Sequence, residues 1–154
     1  MPRHGAVVAT LSLPEYIAML EILMALEGLA ARLAARRMPA AQRKQLVLAN
    51  EACQRAAAKD DAEDYGEANR NFHEIIYDGS LNDVLARQLR SMRLKMRHPQ
   101  RTLFDRPNRI PNLLAEHQTI LKAILSGDEE EAYGTMIRHI SSGGNVHDDS
   151  IASM

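Results

Sequence analysis

The chain has a single cysteine, Cys53, in 154 residues, so no intrachain disulfide can form. Its AlaCysGln setting offers no second thiol for a redox or zinc pair. A small buried hydrophobe is the expected role for that side chain. The chain also lacks an excess of basic charge. Its formal net charge is -1, whereas proteins that grip phosphate backbones normally carry a basic surplus or a clustered basic face. Every apolar run is broken by charge before the roughly 18 residues that a membrane span needs. The opening residues show no basic segment leading into a short apolar one, as a secretion signal would. No convincing pair of strands can be read. These absences argue against DNA reading by this chain alone, membrane insertion and a disulfide-stapled secreted fold, and they predict a cytoplasmic location.

What is present is helical. A chain of this length with 45% hydrophobic residues can bury one core of its own. Six helical segments are expected. The first runs from about Pro14 to Arg37, with Ser12 and Glu15 spaced as a capping box. Pro39 restarts the chain for a second segment to about Lys59, and Asp60 and Asp61 cap a third through Tyr77. Residues 78–82 form a turn into a fourth segment ending near Arg97. Pro99, Pro107 and Pro111 bound an irregular connection, and a fifth segment runs from about Pro111 to Leu125. Residues 126–128 break and cap, and the sixth segment reaches about Ser142 before a polar tail containing two glycines. Short connections between helices favour antiparallel neighbours. The expected fold is therefore all-α, an antiparallel bundle of about six to seven helices.

Three histidines occupy matched places on three of these patterns. His73 lies among Phe72 and Ile76, His117 among Leu113, Leu114 and Leu121, and His139 beside Met136 and Ile140. Residues three or four apart share a helix face, so each imidazole lies on the apolar side of its own helix. An unpaired buried polar group costs roughly 1 to 3 kcal/mol, so each ring needs hydrogen-bond partners or a metal. Three rings converging in one bundle would make a site. Imidazole suits zinc, nickel, copper and iron, and three rings leave a coordination position open for another ligand. The bland alternative is a core cluster in which the rings satisfy one another and water.

Taken together, LeuGluGlyLeuAlaAlaArgLeuAlaAla at 26–35, PheHis at 72–73, GluHis at 116–117, IleLeuLysAlaIleLeuSerGlyAsp at 120–128 and MetIleArgHisIle at 136–140 resemble the FCD effector-binding domain. That domain is the C-terminal half of one subfamily of GntR-type bacterial transcription regulators. The resemblance runs from about Pro14 to about Ile140. Residues 1–12 look like the end of that family's winged-helix wing and linker, 13–142 like the effector-binding and dimerisation domain, and 143–154 like a polar tail. On this reading the DNA-reading helix lies upstream of Met1.

The resemblance implies a homodimer that binds a small, carboxylate-bearing metabolite and reaches DNA only through the missing N-terminal domain. It implies no membrane partner. It also implies a divalent ion, zinc or nickel, held by an Asp four residues before the PheHis histidine and by the three histidines. Those positions are Asn69, His73, His117 and His139, so an amide stands where the family has a carboxylate. The family's frequent Arg four residues before the LeuGlu glutamate is also replaced, by Leu23. Both departures fall on the pocket. Arg93 and Arg97, one helical turn apart, are the candidate grips for an effector carboxylate, since guanidinium forks bind carboxylates in bidentate fashion. Arg101 follows Pro99, and His4, His98 and His147 are expected at the surface.

A non-enzymatic sensor is the leading expectation. The competing one is a small metalloenzyme in which three histidines and an open position activate water. Helical periodicity turns Glu74 and Glu116 away from the side of their neighbouring histidines, which counts against a general base there. A third is a helical dimer with no ligand. Leu20, Leu23, Met24, Leu26 and Leu29 give the first helix more apolar surface than one stripe requires, as a subunit interface would use.

Overall fold

The computed structural model describes residues 11–97 and 108–152, with side chains through 143 in the last helix. Six helices are present among the described residues: α1 (Leu13–Arg37), α2 (Ala40–Ala58), α3 (Ala62–Gly79), α4 (Asp83–Lys95), α5 (Arg109–Leu125) and α6 (Glu129–Ala152). No strand occurs among them. The wing-like segment before Leu11, Arg101, His4 and His98 lie outside the described residues, as does the side chain of His147.

Local chemistry sets most boundaries. Ser12 accepts from the Glu15 backbone N–H while the Glu15 carboxylate accepts from that of Ser12, closing the expected capping box around Pro14. Asp61 and Asn82 cap α3 and α4 with their side-chain oxygens, Asp61 accepting from the Glu63 and Asp64 N–H groups and Asn82 from that of Leu85. After α5, Gly127 adopts a left-handed φ of 73°, and the Asp128 N–H reaches back to the Ala123 carbonyl at 3.0 Å. This closure needs a residue without a Cβ penalty at that position. Asp128 then caps α6 by accepting from the Glu131 N–H. The last helix departs from expectation by running on to Ala152 rather than stopping near Ser142. Glycine costs roughly 1 kcal/mol in a helix interior but keeps its N–H donor, so a glycine pair weakens a helix without breaking it as proline does.

α1 is the central helix. It packs most extensively on α6 and also touches α3, α4 and α5, while α2 covers α3 and α5. Its buried stripe is unusually small, built from Ala30, Ala31, Ala34 and Ala35 with Gly28. A Cβ at Gly28 would sit 2.9 Å from Ile137 and 3.0 Å from the Tyr133 ring, so the α1–α6 approach depends on that glycine. Bulk comes from the other helices, where Leu46, Phe72, Ile76, Leu89, Ile120 and Met136 are all fully buried. Arg43 on α2 fastens one end of the bundle. Its guanidinium donates to the carbonyls of Met38 at 2.8 Å, Ala35 at 2.9 Å and Ile124, joining the C-terminal ends of α1 and α5. Cys53 is fully buried and free, in keeping with the packing role expected of it.

Candidate metal and effector site

α3 places Asn69, His73 and Tyr77 on one face at intervals of four. α5 contributes His117, α6 His139, α1 Glu27 and α4 Arg93. The three histidines meet: one ring nitrogen from each lies within 4.8 Å of the others, and all three rings are buried. His117 stacks on Phe72, with ring centroids 4.3 Å apart and planes at 14°. His73 and His139 lie nearly parallel, 5.2 Å between centroids.

The outer nitrogens of two rings are anchored. His73 Nδ1 lies 3.3 Å from Glu27 Oε2, and His139 Nδ1 lies 2.7 Å from Glu116 Oε1. Ionised carboxylates only accept, so each Nδ1 carries a proton and each Nε2 is a bare lone pair in the neutral ring. Those two atoms face one another at 3.2 Å, a contact that becomes a hydrogen bond only when one ring takes up a second proton. His117 has neither ring nitrogen partnered, although both are buried, and the buried Asn69 Oδ1 is unpartnered too. Electron-pair donors therefore converge: in the neutral rings neither facing Nε2 carries a proton, and among the described residues neither His117 nor the Asn69 oxygen has a hydrogen-bond partner. Carboxylates fixing the tautomer of ligating imidazoles are a recurrent feature of metal centres. These residues fit a cation.

Protonation states agree with that geometry. Burial lowers the proton affinity of His73 to a pKa of about 4, overriding its bond to Glu27. Burial and the neighbouring rings also push His117 well below the ordinary imidazole range. Glu27 is fully buried. Burial alone would raise its carboxyl, but the Arg93 guanidinium, the His73 ring and the Tyr77 hydroxyl outweigh it and hold the pKa at about 2. Arg93 donates to Glu27 Oε1 from Nε at 3.0 Å and from Nη2 at 2.8 Å, and Tyr77 donates to the same oxygen. Burial works against ionisation of Glu116 as well, yet the His139 bond keeps its carboxyl below the usual value.

Two adjoining cavities open on the cluster and share Tyr16, Leu23, Asn69, His73 and Arg93. The smaller, about 140 Å³, is walled by Leu20, Leu113 and Ile140 and reaches His139 and Arg109. The larger, about 370 Å³, runs between α3 and α4 and is lined by Arg70, Arg90 and Arg97 with Glu74 and Met96. It is of the size that holds a small metabolite.

Each residue expected at the site lies at the cluster or on a cavity wall, and so do both departures from the family pattern, Asn69 and Leu23. The structure differs from expectation in three ways. Arg93 is already bound to a buried carboxylate. Glu116, expected to turn away, does leave His117's side but reaches across to His139 on α6. Glu27 and Tyr77 are part of the cluster although no role had been assigned to them. Glu27 was findable: Leu23, Glu27, Ala30, Ala31 and Ala34 form one helical stripe, and a lone carboxylate on an otherwise apolar stripe must have a buried partner.

Among the described residues, no helix is long and apolar enough to cross a membrane. No curated protein sequence matches the chain. In structure it is similar to E. coli McbR/YncC, with a TM-score of 0.82 at 19% identity over 90% of this chain and 70% of that one. The fold is thus shared at low identity. The family model for the FCD domain matches residues 18–142, which include all six helices in whole or in part, and the chain accordingly belongs to the FCD family as a regulatory effector-binding domain.

Proposed function

We propose that this domain senses a small carboxylate-bearing metabolite at a divalent cation held by His73, His117, His139 and Asn69, and that it reports occupancy to a DNA reader attached at its N-terminus. One observation carries the metal part: carboxylates hold the Nδ1 atoms of His73 and His139, so in the neutral rings two bare Nε2 atoms face each other beside a His117 that has no hydrogen-bond partner among the described residues. A bound cation would supply Lewis acidity to an oxygen ligand. The chain's own residues do the rest. Glu27 and Glu116 orient the rings, Phe72 fixes His117 by stacking, and Leu23 and Leu113 keep the inner chamber apolar. Because Asn69 contributes no negative charge, the protein donor set is neutral, and an anionic guest completes it.

The reading is non-enzymatic. Both carboxylates near the rings are engaged, Glu27 by three partners and Glu116 by His139, so neither stands free as a general base. Dimerisation belongs to the same proposal, with α1 presenting Ile22, 54% exposed, on the side away from its buried stripe.

Titration calorimetry of chelator-treated protein with zinc is the test. One ion per chain is expected. Asn69→Asp should tighten it by about tenfold or more, since it restores a charge pair in a partly desolvated cavity, and His117→Ala should abolish it. Absence of divalent binding in the parent would overturn the metal reading and leave a hydrogen-bonded core cluster.

A further inference from the structure

The four arginines of the larger cavity are not equivalent. Arg93 is bound to Glu27, and Arg90 is bound to Glu74 at 2.6 Å and to Asp78 at 2.7 Å. Arg70 on α3 and Arg97 just beyond α4 have no acidic partner among the described residues, yet both line the same chamber from facing sides. Among the described residues Glu74 is the only acid on that wall, and Arg90 occupies it. The inner end adds a neutral donor set with no anionic member. Positive charge is therefore uncompensated at the mouth of one chamber of about 370 Å³, and a cation bound at its neutral inner end would add a second such charge there.

We infer that the ligand of this chamber carries two anionic groups, one meeting the Asn69–His73 end and the other held across the mouth by Arg70 and Arg97. This rests on the proposed function, in which the inner end takes a carboxylate, and it adds the class of ligand: a short dicarboxylate or a phosphorylated acid. Arg93 is not the grip. Its fork is already committed to a carboxylate that cannot be left alone in the interior. An anion that bridges Arg70 and Arg97 also ties α3 to the end of α4, so the second charge is the part of the ligand that α4 would register.

Matched acids isolate that second charge. Malate and 2-hydroxybutyrate share an α-hydroxy acid end and differ in one carboxylate; 3-phosphoglycerate and glycerate differ in one phosphate. Each is titrated calorimetrically into the zinc-loaded and the metal-free protein, and into Arg70→Gln/Arg97→Gln, with Arg87→Gln as an exposed control. In at least one pair the dianion should bind about tenfold to a hundredfold more tightly than its partner, the effect of one or two charge-assisted hydrogen bonds. Which pair shows it separates carboxylate from phosphate. The double variant should erase that margin and leave the monoacid unchanged, while Arg87→Gln keeps it. Equal affinity within both pairs, a margin that survives the double variant, or no binding of any acid in either form would overturn the inference. Zinc binding measured on the same sample reports separately on the metal reading.

Discussion

The inner and outer ends of the larger cavity obey different rules. At the inner end the charged groups are paired with one another. Glu27, with no exposed surface, accepts from Arg93, Tyr77 and His73, because a lone carboxylate there would be prohibitively costly. Water reaches the outer end, so Arg70 and Arg97 can stand without acids at little cost. An unpaired atom therefore means different things at the two ends. Inside, the unpartnered nitrogens of His117 and the unpartnered Asn69 oxygen stand out against the paired charges of Glu27 and Arg93; outside, unpaired arginines acquire meaning only from sharing one chamber.

Glu27→Gln tests the inner rule most severely. It leaves Arg93 without its counter-charge and weakens the anchor of His73, and it should cost about 3 kcal/mol of unfolding free energy. Urea denaturation of the metal-free protein measures it, and a loss below about 1 kcal/mol would mean that the network relaxes freely.

Acid should act next. His73 is held neutral down to about 4 against an ordinary value near 6.5. Between those values the unfolded chain binds a proton that the fold refuses, so stability falls as pH drops from about 6.5 towards 4. Glu27, depressed from 4.5 to about 2, contributes stability that is fully present above 4.5 and is lost as pH falls from there to 2. Melting temperatures of the metal-free protein should therefore decline from pH 6.5 downward. A flat profile between pH 6.5 and 4 would show His73 to be protonated in the fold.

His117→Leu should move the other way. Replacing a buried ring that has no partner by an apolar side chain should stabilise the metal-free protein by about 1 kcal/mol, while removing any stabilisation by zinc. Destabilisation of the metal-free form would show that the ring has a partner of its own, such as an ordered water. The smallest effect belongs to the outer end: Arg97→Gln should change unfolding free energy by no more than about 0.5 kcal/mol, as exposed substitutions generally do.

The sequence made the helices, their caps and the three histidines legible, because capping residues and 3.6-residue periodicity are local signals. It misled at α6, where a glycine pair looked like a stop and was only a weak point. The convergence of His73, His117 and His139 could be expected only through the family resemblance, since each lies on a different helix. Glu27, Tyr77 and the reach of Glu116 escaped because their partners come from other helices, and sequence periodicity gives a face without saying what that face meets. Arg93 and Arg97 looked alike on one helix. The position of Glu27 on α1, and the end of α4 before Arg97, distinguish them.

Arg43 has a further consequence. Helix ends leave carbonyls unsatisfied and carry a partial negative charge, and here one cation spans two such ends at once, those of α1 and α5. α1 carries Glu27 and α5 carries His117, so the ring-orienting carboxylate and one of the candidate donors are indexed to a common origin outside the cavity. The spacing between them is a property of the scaffold, set before any ligand arrives.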